Sequence, residues 1–253
     1  MGEKVSIARR ESTAFCRPGV SLYSAAGVEH KVVDFAIQLA VVLFAISFHE
    51  SAHAFAALQF GDTTARDAGR ISLNPLRHID PFGSILLPLM LYLLSGLIFG
   101  AAKPTPVDLR NTRDPRLANL VVSAAGPASN FLLAAFGLLV FALIRRARPE
   151  AMGELLEALQ GARFASGALA PITYVLFFFV LVNVMLGVFN LLPIPPLDGS
   201  GVLLSIGGAP VARAFAVIRP FGFLILLLLI ATPVLGNIFR PIQGIVLRLI
   251  FGA

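Results

Sequence analysis

Cysteine is nearly missing from this chain: Cys16 stands alone among 253 residues. No intramolecular disulfide and no cysteine metal cluster can therefore form. Charge is scarce as well, at 13% of residues, while 57% are hydrophobic and the mean hydropathy is strongly positive. A soluble globule of this size cannot hide that much apolar surface, so the composition indicates an integral membrane protein. The basic excess, a formal charge of +6, is scattered between apolar runs without interleaved aromatic residues. That pattern argues against nucleic acid as a partner and for a lipid bilayer. Internal repeats and low-complexity tracts are absent, and residues 1–31 contain no apolar core of the length a signal peptide needs.

What is present is a set of apolar runs long enough to cross a membrane, several of them carrying polar residues that lipid would reject. Residues 32–60 form the first, and near its end stands His49-Glu50-Ser51-Ala52-His53. On a helix, histidines at i and i+4 lie one above the other and can hold one Zn²⁺. Glu50 lies about 100° round from His49, placed to reach a water activated by the metal rather than the metal itself. In a soluble helix the same pattern can be three solvated side chains. Within a bilayer each ionisable group costs about 2.5–3.5 kcal/mol on insertion scales, which makes a functional site the better reading.

The remaining chain supplies candidate partners. Residues 61–80 turn polar, with alternation around Arg70-Ile71-Ser72-Leu73 that predicts a short strand. His78 in this loop is either an extra ligand or a histidine held by hydrogen bonds; zinc needs only three protein ligands, which favours the latter. Residues 83–99 are apolar but short, and read as a re-entrant or shallow segment. A connector, residues 101–116, contains Lys103-Pro104-Thr105-Pro106-Val107, whose prolines favour extended backbone able to accept a substrate strand or simply to connect.

Residues 117–144 are the next span, interrupted by Gly126-Pro127-Ala128-Ser129-Asn130. If both helices meet the same surface, Gly126 lies about 15 Å along its helix, comparable with the depth of His53. Asn130 is then an amide at metal depth, although buried Asn also serves plain helix–helix contact. Residues 145–167 read as a solvated, helix-prone connector. Residues 168–192 form another span, followed by Pro193-Ile194-Pro195-Pro196-Leu197-Asp198-Gly199. An Asp after a helix is ordinarily a cap or turn residue; beside two metal-binding histidines Asp198 becomes the natural third ligand. Residues 201–218 form a weaker helix, residues 221–238 the last clear span, and residues 239–251 an interfacial segment.

Three motifs in order, His49-Glu50-x-x-His53, Gly126-Pro127-x-x-Asn130 and Asn190-x-x-Pro193-x-x-x-Leu197-Asp198-Gly199, closely resemble those of the site-2 protease family (peptidase M50), intramembrane zinc metalloproteases. The resemblance covers residues 32–201. Gly69-Arg70-Ile71-Ser72-Leu73-Asn74-Pro75 and Lys103-Pro104-Thr105-Pro106-Val107 look like the small prokaryotic branch without PDZ or CBS domains. It implies that His49, His53 and Asp198 bind Zn²⁺ and that Glu50 activates the hydrolytic water. It also implies that Asn190, with Asn130 as a further contributor, holds the substrate or the developing oxyanion. The implied substrate is a transmembrane-helix protein, cleaved within its span as in regulated intramembrane proteolysis, and the implied location is a prokaryotic cell (inner) membrane. Many members of that family carry a further span before the zinc helix, where this chain has its polar tail. Arginine and lysine divide nine to nine between the two sets of connectors, so charge sets no orientation.

The expected fold is an all-α polytopic bundle of about four to six transmembrane helices, with a short membrane-associated strand or re-entrant region after the first helix. A polar tail (residues 1–31) would precede a single metalloprotease domain (residues 32–253). Its expected elements are a zinc helix at 32–60, a short segment at 83–99, and helices at 117–144, 168–192 and 221–238. The alternatives are a membrane metallohydrolase for lipid or small peptides, and a non-catalytic metal-binding or transport protein. A transporter is expected to line both leaflets with polar residues, whereas here they gather at one depth beside a base. Oligomeric state and substrate identity are not written in the sequence.

Overall fold

The computed structural model describes residues 25–95, 100, 102–160 and 169–252, and these are helical wherever they are regular. Most of the expected tail, including Cys16, lies outside the described residues. The chain divides into two units, residues Met1–Ala36 and Ile37–Ala253; the second contains every element discussed below apart from the first turns of α1. In order, the helices are α1 (Ala25–Gln59), α2 (Thr64–Asp67), α3 (Leu87–Ser95), α4 (Pro115–Ala147), α5 (Ala151–Leu159), α6 (Ala170–Asn190), α7 (Asp198–Ile218), α8 (Gly222–Ala231) and α9 (Pro233–Phe251). Among the described residues five stretches are long and apolar enough to cross a membrane: Lys31–Gln59, Pro115–Ala147, Ala170–Asn190, Asp198–Ala231 and Pro233–Phe251.

Helix α1 contains no proline or glycine after Gly27. Its buried positions Val42, Ala45, Ile46, His49, His53, Ala56 and Ala57 recur every three to four residues, so the two histidines continue the inward apolar stripe. Helix α4 is capped by Asp114, whose side chain accepts from the N–H groups of Arg116 and Leu117, with Pro115 in the first turn. It packs along α6, where a Cβ at Gly137 would stand 2.6 Å from Val180. Lipid gives helices no hydrophobic reason to associate, so such close backbone approach carries the packing. Phe141 of α4, Leu155 of α5, Phe177 and Val180 of α6, and Val246 and Ile250 of α9 form one buried cluster.

Four expectations change here. The stretch around Arg70–Leu73 forms no strand; among the described residues there is none. Its backbone pairs with a side chain instead, since the Ser51 hydroxyl donates to Ser72 O at 2.6 Å and accepts from Ser72 N–H at 3.3 Å. The connector after α4 is only partly solvated: α5 buries Ala151, Leu155 and Ala158. Its apolar residues stand at helical spacing on one face, which the many charges around them obscure in the sequence. Residues 221–238 are not one helix, because the chain breaks at Thr232 and Pro233 opens α9, which continues to Phe251 and absorbs the segment expected at the interface. The zinc helix starts at Ala25, inside the range assigned to the tail. Residues 83–95 lie in a π-helical turn, Pro81–Leu86, and in α3. Residues 96–99 of the segment expected there lie outside the described residues.

A buried carboxylate ties the end of α1 to the connector before α4. Asp62 is fully inaccessible. It accepts from the N–H and hydroxyl of Thr64 and from Asn111 Nδ2 on one oxygen, and from the Asp108 N–H at 2.7 Å on the other. Burial pushes the carboxyl up, but the Thr64, Asp108 and Asn111 donors together outweigh it and hold it below its ordinary value of 3.8. Asp62 therefore stabilises the fold fully above about pH 4 and loses that contribution as the pH falls through the lowered value. Asp62→Ala should cost about 3 kcal/mol, read as a lower thermal midpoint in detergent, and should flatten the acid side of the stability profile. An unchanged midpoint would mean the node is not structural.

Candidate active site

The site is assembled from three helices. His49 and His53 come from α1, Asp198 is the first residue of α7, and α4 supplies the wall behind them. His49 Nε2 and His53 Nε2 lie 3.0 Å apart. Asp198 closes the triangle, with Oδ2 at 3.1 Å from His49 Nε2 and Oδ1 at 3.3 Å from His53 Nε2. One ligand atom from each of the three residues falls within 4.8 Å of the others. Asp198 reaches this point because the proline-rich turn after α6 ends the helix and restarts it at Leu197. A carboxylate in the first turn of α7 is also favoured by the helix dipole.

The far side of each imidazole is occupied. His53 Nδ1 donates to the Val122 carbonyl at 2.7 Å, and His49 Nδ1 donates to Asn130 Oδ1 at 2.6 Å. With Nδ1 donating in this way, the neutral form of either ring presents an unprotonated Nε2 inward, the form a metal takes. Two Nε2 atoms 3.0 Å apart therefore face a carboxylate whose buried Oδ2 has no hydrogen-bond donor, an arrangement completed by a cation shared among them. Two imidazoles and one carboxylate are a donor set that suits zinc and leaves a fourth position open. The residues present thus fit a zinc ion.

Asn130 lies directly behind His49. It is completely buried, with Oδ1 bound to His49 and Nδ2 donating to Asn183 Oδ1 at 2.9 Å and to the Ala45 carbonyl at 3.4 Å. Its N–H groups and its oxygen are thus all engaged within the protein, the oxygen by His49. Behind it Asn183 donates to the Phe179 carbonyl at 2.8 Å, completing an amide relay from α6 through α4 to α1. Sequence reading missed Asn183; the available signal was an amide in the middle of an apolar span, seven residues before Asn190 and hence on the same face. His78 stays apart from the cluster, buried with Nε2 bonded to the Ser72 carbonyl at 2.7 Å.

Gly126 explains how α4 comes so near. A Cβ there would collide with His53 Nε2 and stand 2.6 Å from His49 Nε2. The following Pro127 has no N–H for the Ser123 carbonyl, which loosens α4 beside the carbonyl that His53 uses.

A cleft of about 650 Å³ opens on these groups. Glu50, Asn190 and Thr105 line it together with His49, His53 and Asp198, and α8 adds Phe223, Leu226, Leu227 and Ile230. Asn190 uses one N–H for the Leu186 carbonyl at 3.0 Å. Among the described residues Glu50 belongs to no ligand group; its Oε2 is engaged by Thr105.

The sequence profile of peptidase family M50 matches residues 35–229. "Putative zinc metalloprotease YwhC" of Bacillus subtilis is 36% identical over 203 residues, covering 79% of this chain and 84% of the relative. "Putative zinc metalloprotease Rip2" is 34% identical in Mycolicibacterium smegmatis and 31% in Mycobacterium tuberculosis strain H37Rv, each over 81% of this chain and 70% of the relative. No solved structure matches the chain.

Substituting Gly126→Ala should push a methyl group into both Nε2 atoms. Zinc content by mass spectrometry should fall from about one per chain to a small fraction, with helicity by circular dichroism preserved. Full zinc occupancy in that variant would contradict the packing described.

Proposed function

Because the chain belongs to peptidase family M50 and is a zinc-dependent metalloendopeptidase of multi-pass membrane type, we propose that it hydrolyses peptide bonds within or beside transmembrane segments of membrane-protein substrates. The observation that carries this reading is the convergence of His49, His53 and Asp198 on one point inside membrane-spanning helices, facing an apolar-walled cleft that also holds Glu50. His49, His53 and Asp198 hold the metal. Zinc, when bound, supplies a Lewis acid that makes a water reactive near neutral pH and polarises a carbonyl.

Each residue of the chain then has a task. Glu50 takes the proton of the attacking water and returns it to the leaving amine. Asn130 and Val122 hold the histidines in the tautomer that keeps Nε2 free. Asn190 lines the cleft with one N–H left over after its bond to Leu186, and that N–H stabilises charge developing on the carbonyl oxygen. Phe223, Leu226, Leu227 and Ile230 accept the apolar side chains of a transmembrane segment, which must unwind locally because a helical amide shields its carbonyl. Such a substrate reaches the cleft through the bilayer of a bacterial cell membrane, the setting that the bacterial relatives favour.

The test is purified protein in liposomes with a panel of transmembrane peptides, beside soluble peptides and lipid esters. Wild type should cut inside apolar segments. Glu50→Gln should lose about 10²- to 10⁴-fold in rate while retaining zinc. Cleavage confined to soluble peptides or lipids, or a fully active Glu50→Gln, would overturn the reading.

A further inference from the structure

The prolines of the connector leave a single backbone donor where the base needs one. In Pro104-Thr105-Pro106 only Thr105 carries an N–H, and that N–H donates to Glu50 Oε2 at 2.9 Å. The Thr105 hydroxyl points to the same oxygen at 2.7 Å, with the Glu50 backbone carbonyl 3.1 Å away as a second acceptor. Glu50 Oε2 thus takes two bonds from one residue that is 55 positions distant in sequence. Oε1 takes none among the described residues.

The connector is itself held at both ends. The Lys103 N–H donates to the His78 carbonyl at 3.0 Å, and the buried Arg70 guanidinium reaches the Lys103 carbonyl at 3.4 Å while donating to the Arg77 carbonyl at 2.7 Å. Five residues after Lys103, the Asp108 N–H is fixed on Asp62, and the Arg113 N–H donates to the Phe60 carbonyl at 3.2 Å. Pro104 and Pro106 fix their own φ angles and restrict Lys103 and Thr105 before them. A donor pair mounted on such a segment has little conformational freedom left to lose when it engages a carboxylate.

The geometry points to Thr105 as a positioning residue for the reaction, one that acts through Glu50. It holds Oε2 against the connector and thereby presents Oε1 to the attacking water. This inference rests on Glu50 being the base. It goes beyond that reading because it assigns the orientation of the base to a residue outside the three motifs, and because it predicts that the hydroxyl, rather than the bulk of the side chain, is what matters.

The experiment uses the zinc-loaded protein in liposomes and compares Thr105→Val, Thr105→Ala and Thr105→Ser with Glu50→Gln. One readout is independent of turnover. The infrared difference between each protein and its Glu50→Gln counterpart isolates the carboxylate stretch of Glu50. That band should shift in the valine and alanine variants, which lack the hydroxyl donor, and should return to its wild-type position in the serine variant. With a transmembrane peptide that the wild type cuts, valine and alanine should lower kcat about ten- to a hundredfold with KM within about twofold. Serine should restore kcat, and zinc should stay at about one per chain throughout.

An unmoved carboxylate band, unchanged kcat in either folded variant lacking the hydroxyl, or a serine variant as impaired as alanine, would each overturn the inference. If Glu50→Gln is inactive while Thr105→Val is fully active, only the assignment of Thr105 fails. If Glu50→Gln remains active, the base reading fails and this inference falls with it. Two variants without the hydroxyl guard against one of them misfolding.

Discussion

A histidine offered to a metal must keep its proton on the other nitrogen, and where that nitrogen is buried the protein must supply the acceptor. Here the arrangement is made by backbone and amide acceptors. The Val122 carbonyl takes the Nδ1 proton of His53, and Asn130 takes that of His49. Asn130 can serve only as an acceptor toward His49 because its own N–H groups are committed to Asn183 and Ala45. The relay that begins at the Phe179 carbonyl ends at His49, the Val122 carbonyl does the same for His53, and together they direct both Nε2 atoms toward the Asp198 carboxylate, a donor set suited to a shared cation. Gly126 allows α4 to come close enough to complete it.

The polar loops are organised for the same end. Ionisable groups in a membrane protein are costly unless paired, and the connectors are fastened by buried polar groups with defined partners rather than by exposed ion pairs. Asp62 collects donors from three residues, and Arg70 is spent on backbone carbonyls. Both lock segments adjoining the cleft. The Pro104-Thr105-Pro106 stretch between those anchors then behaves as a rigid bracket on Glu50. In the interior, glycine opposite Val180 and the cluster of Phe141, Phe177 and Ile250 supply the close packing that helices need in lipid.

Much of this was legible in the sequence for a simple reason: polar residues in apolar helices have few bland explanations. His49 and His53 could be named because metal chemistry demands particular residue types at particular spacing, Asp198 followed from its place after a broken helix and from the family resemblance, and equal depth brought Gly126 and Asn130 into view. What escaped was whatever depended on three-dimensional partners. Asn130 could be placed near the metal, but that its oxygen accepts from His49 while its N–H groups are held by Asn183 and Ala45 is visible only in three dimensions. Asn183 and Thr105 lie outside the three metal-site motifs, and their bonds to Asn130 and Glu50 show only in the structure. The expected strand near Arg70 fails because its alternation serves a side-chain pairing with Ser51. The helix expected at residues 221–238 fails because Pro233 acts as the first residue of a new helix, a role in which proline is favoured.

The central claim is that His49, His53 and Asp198, with Nδ1 of both rings already occupied, form the zinc site. X-ray absorption at the zinc edge on the purified, loaded protein tests it most directly, compared with His49→Ala and Asp198→Ala at matched zinc. The account predicts a first shell of nitrogen and oxygen at about 2.0–2.1 Å with the multiple-scattering signature of two imidazoles, reduced to one imidazole in His49→Ala and short of a carboxylate in Asp198→Ala. A wild-type spectrum with a single imidazole, or one unaltered by either substitution, would contradict it.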